Sequence, residues 1–169
     1  LLVFPMAALT GPLPVRESEQ DDFLLDVMDV LVRLSEEASC PCIVPVVGAL
    51  DGQPAPEAVL VGDEKILPLK MQAYAQSEEA GRVDDEDAPA PDLPEFEFGG
   101  MRLGVAFTYE DLDDYDDFDI DVDAILYIAG YGYAADDVDS VLGSDLAENR
   151  YVADAQTTGA WIVGLGSVG

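Results

Sequence analysis

The sequence contains no histidine, and only two lysines and two cysteines. Without histidine, no Ser-His-Asp or Cys-His pair can be assembled within the chain, and every imidazole-based metal site is excluded. Bases of any kind are scarce. Seven Lys and Arg stand against 36 Asp and Glu, a formal net charge of −29. Such a field repels phosphate backbones and anionic headgroups, so neither nucleic acid nor a membrane surface is expected as a partner. An acid-rich, lysine-poor surface suits hydration in concentrated salt. An Asp-favouring genome yields the same composition, and the residues do not choose between the two.

Cys40 and Cys42 are separated by one residue at the entry to an apolar run. That spacing makes a poor disulfide, and two ligands are too few for zinc. They read as small buried residues of a reduced, cytoplasmic protein, with no metal and no cofactor implied. No apolar run approaches the ~18–20 residues needed to span a bilayer. Leu1 to Pro5 carry no initiator Met and no basic region, and do not form a signal peptide. The chain opens and closes inside strand-like segments, so it is expected to be a portion of a longer polypeptide.

What is present points to a packed globule. Apolar residues make up 49% of the chain, and the length suits one domain over residues 1–169, enough to bury roughly 70% of its unfolded surface. Leu1–Phe4 reads as a buried strand halted by Pro5. Ser18–Ser39 reads as an amphipathic helix with Phe23, Val27, Leu31 and Leu34 on its apolar face. Cys42–Val47 is a strand ended by Gly48. Asp51–Pro56 is a hairpin loop leading to a strand over Ala58–Val61, and Gly62-Asp63-Glu64 turns into Lys65–Leu69. Met71–Pro94 has no apolar period and reads as a long loop or lid.

Phe96–Phe98 and Met101–Phe107 are strands joined by Gly99-Gly100, with Thr108, Tyr109, Glu110 and Asp111 emerging where the second ends. Asp111–Asp123 holds eight aspartates in thirteen residues. The Gly and closing Glu of a calcium loop are absent, so a solvated acidic loop or helix face is expected rather than a metal site. Ala124–Ile128 is a strand, Ser140–Thr158 a helix with Leu142, Leu146, Asn149 and Ala153 on one face, and Ala160–Leu165 a last strand. Strands alternating with helices and hairpins give an α/β (α+β) layered domain.

Five segments, in order, resemble the carbon–nitrogen hydrolase (nitrilase) superfamily, most closely the glutamine-hydrolysing domain of glutamine-dependent NAD synthetases. Leu-Leu-Val-Phe-Pro-Met-Ala-Ala-Leu-Thr-Gly resembles the family's LLVFPE-x-ALTGY. Val46-Val47-Gly48 resembles its VVG strand end, and Phe96 to Asp111 its FxFGGxRxGVxIC(Y/E)D block. Asp123-Ala124-Ile125-Leu126 resembles the (A/G)AD-LLL strand, and Asn149 to Gly169 the ARAxENGxxVVxVNxVG segment.

The resemblance implies a four-layer αββα sandwich, here expected to be incomplete at both ends, and a Glu–Lys–Cys amidase site. In that chemistry a thiolate attacks the amide carbon, the Glu shuttles the proton and the Lys stabilises the oxyanion. The Glu position falls on Met6. The Cys position falls on Thr108, or on Tyr109 if the Glu-Asp-Leu is aligned instead. Lys70 is the better candidate for the lysine, ahead of Lys65, and a plain surface lysine is its competing reading. The family's second glutamate falls near Glu79, with Arg82 at the following Arg.

A thioether cannot accept a proton, and a Thr or Tyr without a base is a weak nucleophile. The expected function is therefore a non-catalytic amidase-like domain that assembles as a homo-oligomer. It would support an ATP-dependent, ammonia-using NAD synthetase domain on the same longer chain, whose SGGxDS phosphate loop is absent from these residues. Two alternatives stand beside it. One is a stand-alone scaffold binding a small amide or carboxylate among Met6, Lys70, Thr108 and Tyr109, with Tyr109 and Glu79 as ligand contacts. The other is a residual hydrolase with displaced chemistry.

Overall fold

The computed structural model describes residues 1–6, 8–10, 21–50, 53–79, 93–128 and 150–165. In chain order the elements are β1 (Leu2–Val3), α1 (Asp21–Glu37), β2 (Cys42–Leu50), β3 (Gln53–Gly62), β4 (Lys65–Pro68) and α2 (Leu69–Glu79). There follow β5 (Glu95–Phe98), β6 (Met101–Ala106), α3 (Tyr109–Asp117), β7 (Ala124–Ile128), α4 (Arg150–Thr157) and β8 (Trp161–Leu165). Two four-stranded sheets form, in the orders β1-β2-β3-β4 and β5-β6-β7-β8. The first is antiparallel apart from the β1–β2 pair. The second is parallel across β6-β7-β8, with β5 added antiparallel at its edge.

Alternation along each strand sorts the core into three clusters, which define the layers. On β2 and β3, Cys42, Val44, Val46, Val59 and Val61 meet Leu31, Val27 and Leu34 of α1. The opposite faces of those strands, carrying Ile43 and Ala58, meet Val105 and Phe107 at β6 and Leu126 and Ile128 of β7. The outer faces of β6 and β7, carrying Ala106, Ile125 and Tyr127, are covered by Leu112 and Tyr115 of α3 and by Tyr151 of α4. The order is helix, sheet, sheet, helix: the four-layer αββα sandwich expected from the resemblance.

Helix α1 buries the face its periodicity gave, with Leu31 the most enclosed. Three segments differ from expectation. The β2–β3 hairpin runs unbroken from Cys42↔Val61 to Leu50↔Gln53, so Gly48, Pro54 and Pro56 lie inside strands. Both prolines occupy the part of β3 that has β2 alone as neighbour, where a missing N–H on the open side removes no ladder bond. Residues 69–79 form α2 rather than the end of a strand and the start of a loop. Its apolar period is almost nil, and the helix is held at its first turn by a side chain from β3. The acidic run is mostly α3, with Leu112 and Tyr115 inward and Asp113, Asp116 and Asp117 outward.

On α4 the inward positions include Tyr151 and Asp154, with Thr158 just past its end also partly buried, and Ala153 is exposed. The other expected face residues, Leu142, Leu146 and Asn149, lie outside the described residues. Cys40 and Cys42 are both free thiols, Cys42 buried and Cys40 exposed, and burial raises the Cys42 pKa. Among the described residues no helix is long and apolar enough to cross a membrane, and no cluster of His, Cys, Asp or Glu could hold a metal ion.

Candidate functional site

The turn from β6 into α3 is set by packing one layer out. Gly104 of β6 faces Tyr115 of α3, and a Cβ on Gly104 would stand 2.7 Å from the tyrosine ring and hydroxyl. That ring therefore lies directly on the strand. Its hydroxyl donates to the Pro94 carbonyl at 2.6 Å and accepts the Val105 N–H at 3.0 Å. Helix α3 is thus fixed against β6 at a spacing only a glycine permits.

Thr108 follows as the N-cap of α3, in extended geometry (φ −127°, ψ 167°). Its Oγ1 accepts the Asp111 N–H at 3.1 Å. Asp111 Oδ2 accepts the N–H of Phe107 at 2.6 Å and of Thr108 at 2.9 Å. This reciprocal capping box satisfies donors that a helix start leaves open.

Lys70 approaches from the facing sheet. It is the second residue of α2, 8% exposed, with Nζ 4.0 Å from Asp111 Oδ1 and 6.0 Å from the centre of the Phe107 ring. The start of α2 is held by Glu57 of β3, itself 6% exposed. Its Oε1 accepts the Lys70 N–H at 2.8 Å and its Oε2 the Met71 N–H at 2.9 Å. A carboxylate at a helix N-terminus is favoured by the dipole and by the open N–H groups. Burial nevertheless pushes the Glu57 carboxyl above its ordinary value, a rise that the backbone donors and the Lys70 charge oppose. Two carboxylates therefore share the surroundings of one ammonium.

The structure brings Lys70 and the β6–α3 turn together, with Asp111 as the link. Met6 is half-buried and packs on the inter-sheet cluster that contains Leu69 and Phe107. Tyr109 turns the other way. Its ring stacks on Tyr127 with centroids 5.5 Å apart and lies 6.5 Å from Tyr151, in the layer between the second sheet and its helices. Thr108 is thus the turn residue bonded to the Asp111 that faces Lys70. Glu79 is the last residue of α2, and its side chain lies outside the described part, as does Arg82. Lys65 begins β4 and belongs to the opposite end of the sheet from Lys70.

Two members of the site were given no role by the sequence reading, although it placed Asp111 among the polar residues at the end of the strand. Asp111 stands three residues after Thr108, and Thr-x-x-Asp before a helix is a capping signature hidden here by the surrounding aspartates. Glu57 left a fainter mark: an acid at an alternating position inside an apolar strand.

No family model matches the chain, and no curated protein matches it in sequence. Two solved structures resemble it. A CN-hydrolase superfamily protein from Xanthomonas campestris, with an arsenic adduct in its active site, matches 99% of this chain and 63% of its own length, at 13% identity and a TM-score of 0.63. Glutamine-dependent NAD+ synthetase from Acinetobacter baumannii, in complex with ADP, matches 88% of this chain and 30% of its own length, at 17% identity and a TM-score of 0.56. The chain spans less than two thirds of either protein. At these identities the likeness is one of architecture: this chain shares the layered fold of that CN-hydrolase superfamily protein.

Proposed function

We propose that this chain is a catalytically silent carbon–nitrogen hydrolase-like domain, kept for assembly and for support of an ammonia-dependent NAD synthetase domain on a longer polypeptide. The observation that carries the reading is the state of the β6–α3 turn. The Thr108 hydroxyl oxygen accepts a backbone N–H. The carboxylate beside it has one oxygen occupied by two backbone donors and the other turned to Lys70. A nucleophilic hydroxyl needs a base positioned to take its proton. Met6, at the position the resemblance gives to the glutamate, has no group that can do so.

Support for the assembly role comes from α1, which exposes Leu24, Leu25, Met28 and Val32. An apolar surface of that kind on a soluble layer is characteristic of a contact between chains, here a homo-oligomer. The synthetase partner is supported by the likeness in fold to a glutamine-dependent NAD+ synthetase, of which this chain matches 30%. A cytoplasmic setting fits two unpaired thiols. A stand-alone binder of amides or carboxylates at Lys70 gains nothing from an ammonium that already faces Asp111.

The test is ammonia release from glutamine and from simple amides by the purified chain. The expected rate equals that of buffer and is unchanged in Thr108→Ala. Release well above buffer, abolished by that substitution, overturns the reading in favour of a residual hydrolase.

A further inference from the structure

At the end of the sandwich away from Thr108, the space between the sheets opens into a cleft of about 460 Å³ lined by Pro41, Leu60, Gly62, Lys65, Leu67 and Phe98, with Asp63 also on its wall. The intervening strand β6 is six residues long, about 20 Å. The register explains how the cleft forms. Leu60 lies opposite Leu67, and Gly62 opposite Lys65. Partners directly opposite share a face of the sheet, and Leu60 packs on the inter-sheet cluster, so all four belong to the inter-sheet side. Phe98, two residues beyond Phe96 of that cluster, shares its side of β5. Gly62 contributes no side chain opposite Lys65, and Pro41 packs close against its backbone, where a Cβ would stand 2.9 Å from the Pro41 Cα.

The charge at the mouth is unusual for this chain. Arg33 pairs with Glu37, Lys70 with Asp111, and Arg102 with Glu95 and Asp121. Among the described lysine and arginine side chains, Lys65 alone has no ion-pair partner. In a protein of net charge −29, an ammonium left unpaired beside an apolar cleft marks, among the described residues, a place where an anion finds a local counter-charge. The volume lies in the range of small-molecule sites, which are apolar with few polar anchors.

We propose that this cleft binds a small monocarboxylate with an apolar body, its chain or ring among Leu60, Leu67, Phe98 and Pro41 and its carboxylate on Lys65. Asp63 on the same wall disfavours ligands carrying a second negative charge. The site is separate from the Lys70 and Thr108 region and does not depend on whether that region is silent.

The experiment is a titration of the isotopically labelled chain with 3-phenylpropanoate, followed by amide chemical shifts. Parallel titrations use 3-phenylpropanamide and phenethylamine. Shifts are expected at Leu60, Lys65, Leu67 and Phe98, with a dissociation constant of order millimolar. The amide and the amine should bind more weakly. Lys65→Gln, at an exposed position, should weaken the carboxylate roughly threefold to fivefold and leave the amide unchanged. Three results overturn the proposal: no shifts at about 20 mM ligand, equal binding of the three probes, or shifts centred on Lys70, Thr108 and Asp111.

Discussion

Replacing Asp111 with Ala should be costly, because this aspartate ties the end of β6 and the start of α3 to Lys70 of α2. Three losses follow. The Phe107 and Thr108 N–H groups lose their shared acceptor, and Phe107 is 3% exposed. An unsatisfied buried donor costs about 1–3 kcal/mol. The helix loses half of its capping box, about 1 kcal/mol. Lys70, whose side chain is 10% exposed, loses a counter-charge at 4.0 Å. Breaking one side of an enclosed pair costs about 3–5 kcal/mol, an upper limit here because the nearby Glu57 carboxylate remains. The contributions overlap, so the expected total is about 3–5 kcal/mol, which for a chain of this size lowers Tm by roughly 8–15 °C. Circular dichroism on heating and urea titration measure it. A cycle with Lys70→Met isolates the pair, with an expected coupling of about 1–3 kcal/mol. A cost below about 1 kcal/mol with no coupling would refute the reasoning, since the network would then be no more than a surface arrangement.

Glu57 and Gly104 give two further tests. The Glu57 pKa is raised in the folded protein above its ordinary value of 4.5, so the folded state holds the proton more tightly than the unfolded chain does. The cost of burying the charge is absent below the unfolded pKa and grows as pH rises through the folded one. Measured by urea unfolding from about pH 4 to pH 7, Glu57→Gln should gain stability relative to the parent as pH rises; a flat or falling difference contradicts the assignment. Gly104→Ala, with its Cβ 2.7 Å from Tyr115, should destabilise by about 1–3 kcal/mol. Gly164→Ala, where nothing lies within 4 Å, should be neutral or stabilise by a few tenths of a kcal/mol in the same thermal assay.

The layers were legible in the sequence where alternation or helical spacing was strong. Cys42 to Val47 and Met101 to Phe107 declared two-faced buried strands, and Phe23, Val27, Leu31 and Leu34 declared a helix face. Helix α2 was not legible. It has almost no amphipathic signal, and its start depends on a carboxylate thirteen residues earlier. Pro54 and Pro56 argued against a strand by the general rule, and became acceptable only once β3 proved to have a single neighbour along that stretch. The resemblance singled out Met6, Lys70 and Thr108, and the structure places Lys70 across from the turn that Thr108 opens. The wiring of that turn was not legible, because Asp111 is one of eight aspartates in thirteen residues, and its Thr-x-x-Asp capping spacing says nothing of the lysine its other oxygen faces.

That wiring bears on what the β6–α3 turn is free to do. In a working amidase the hydroxyl or thiol, the base and the cation must be held apart from other partners so that substrate can meet them. Here the polar side-chain atoms of Thr108 and Asp111 serve the backbone or a neighbour: Thr108 the helix start, Asp111 Oδ2 the end of the strand, Asp111 Oδ1 the ammonium. Glu57 does the same for α2. In a chain with five acids for every base, two carboxylates drawn inward must be satisfied by N–H groups and by one of the two lysines. A substitution that frees Thr108, such as Asp111→Ala, therefore removes the support of the turn before it creates a nucleophile. The measurable consequence is that this variant loses stability and gains no ammonia release, whereas a site retaining hidden catalysis would show the two properties moving independently.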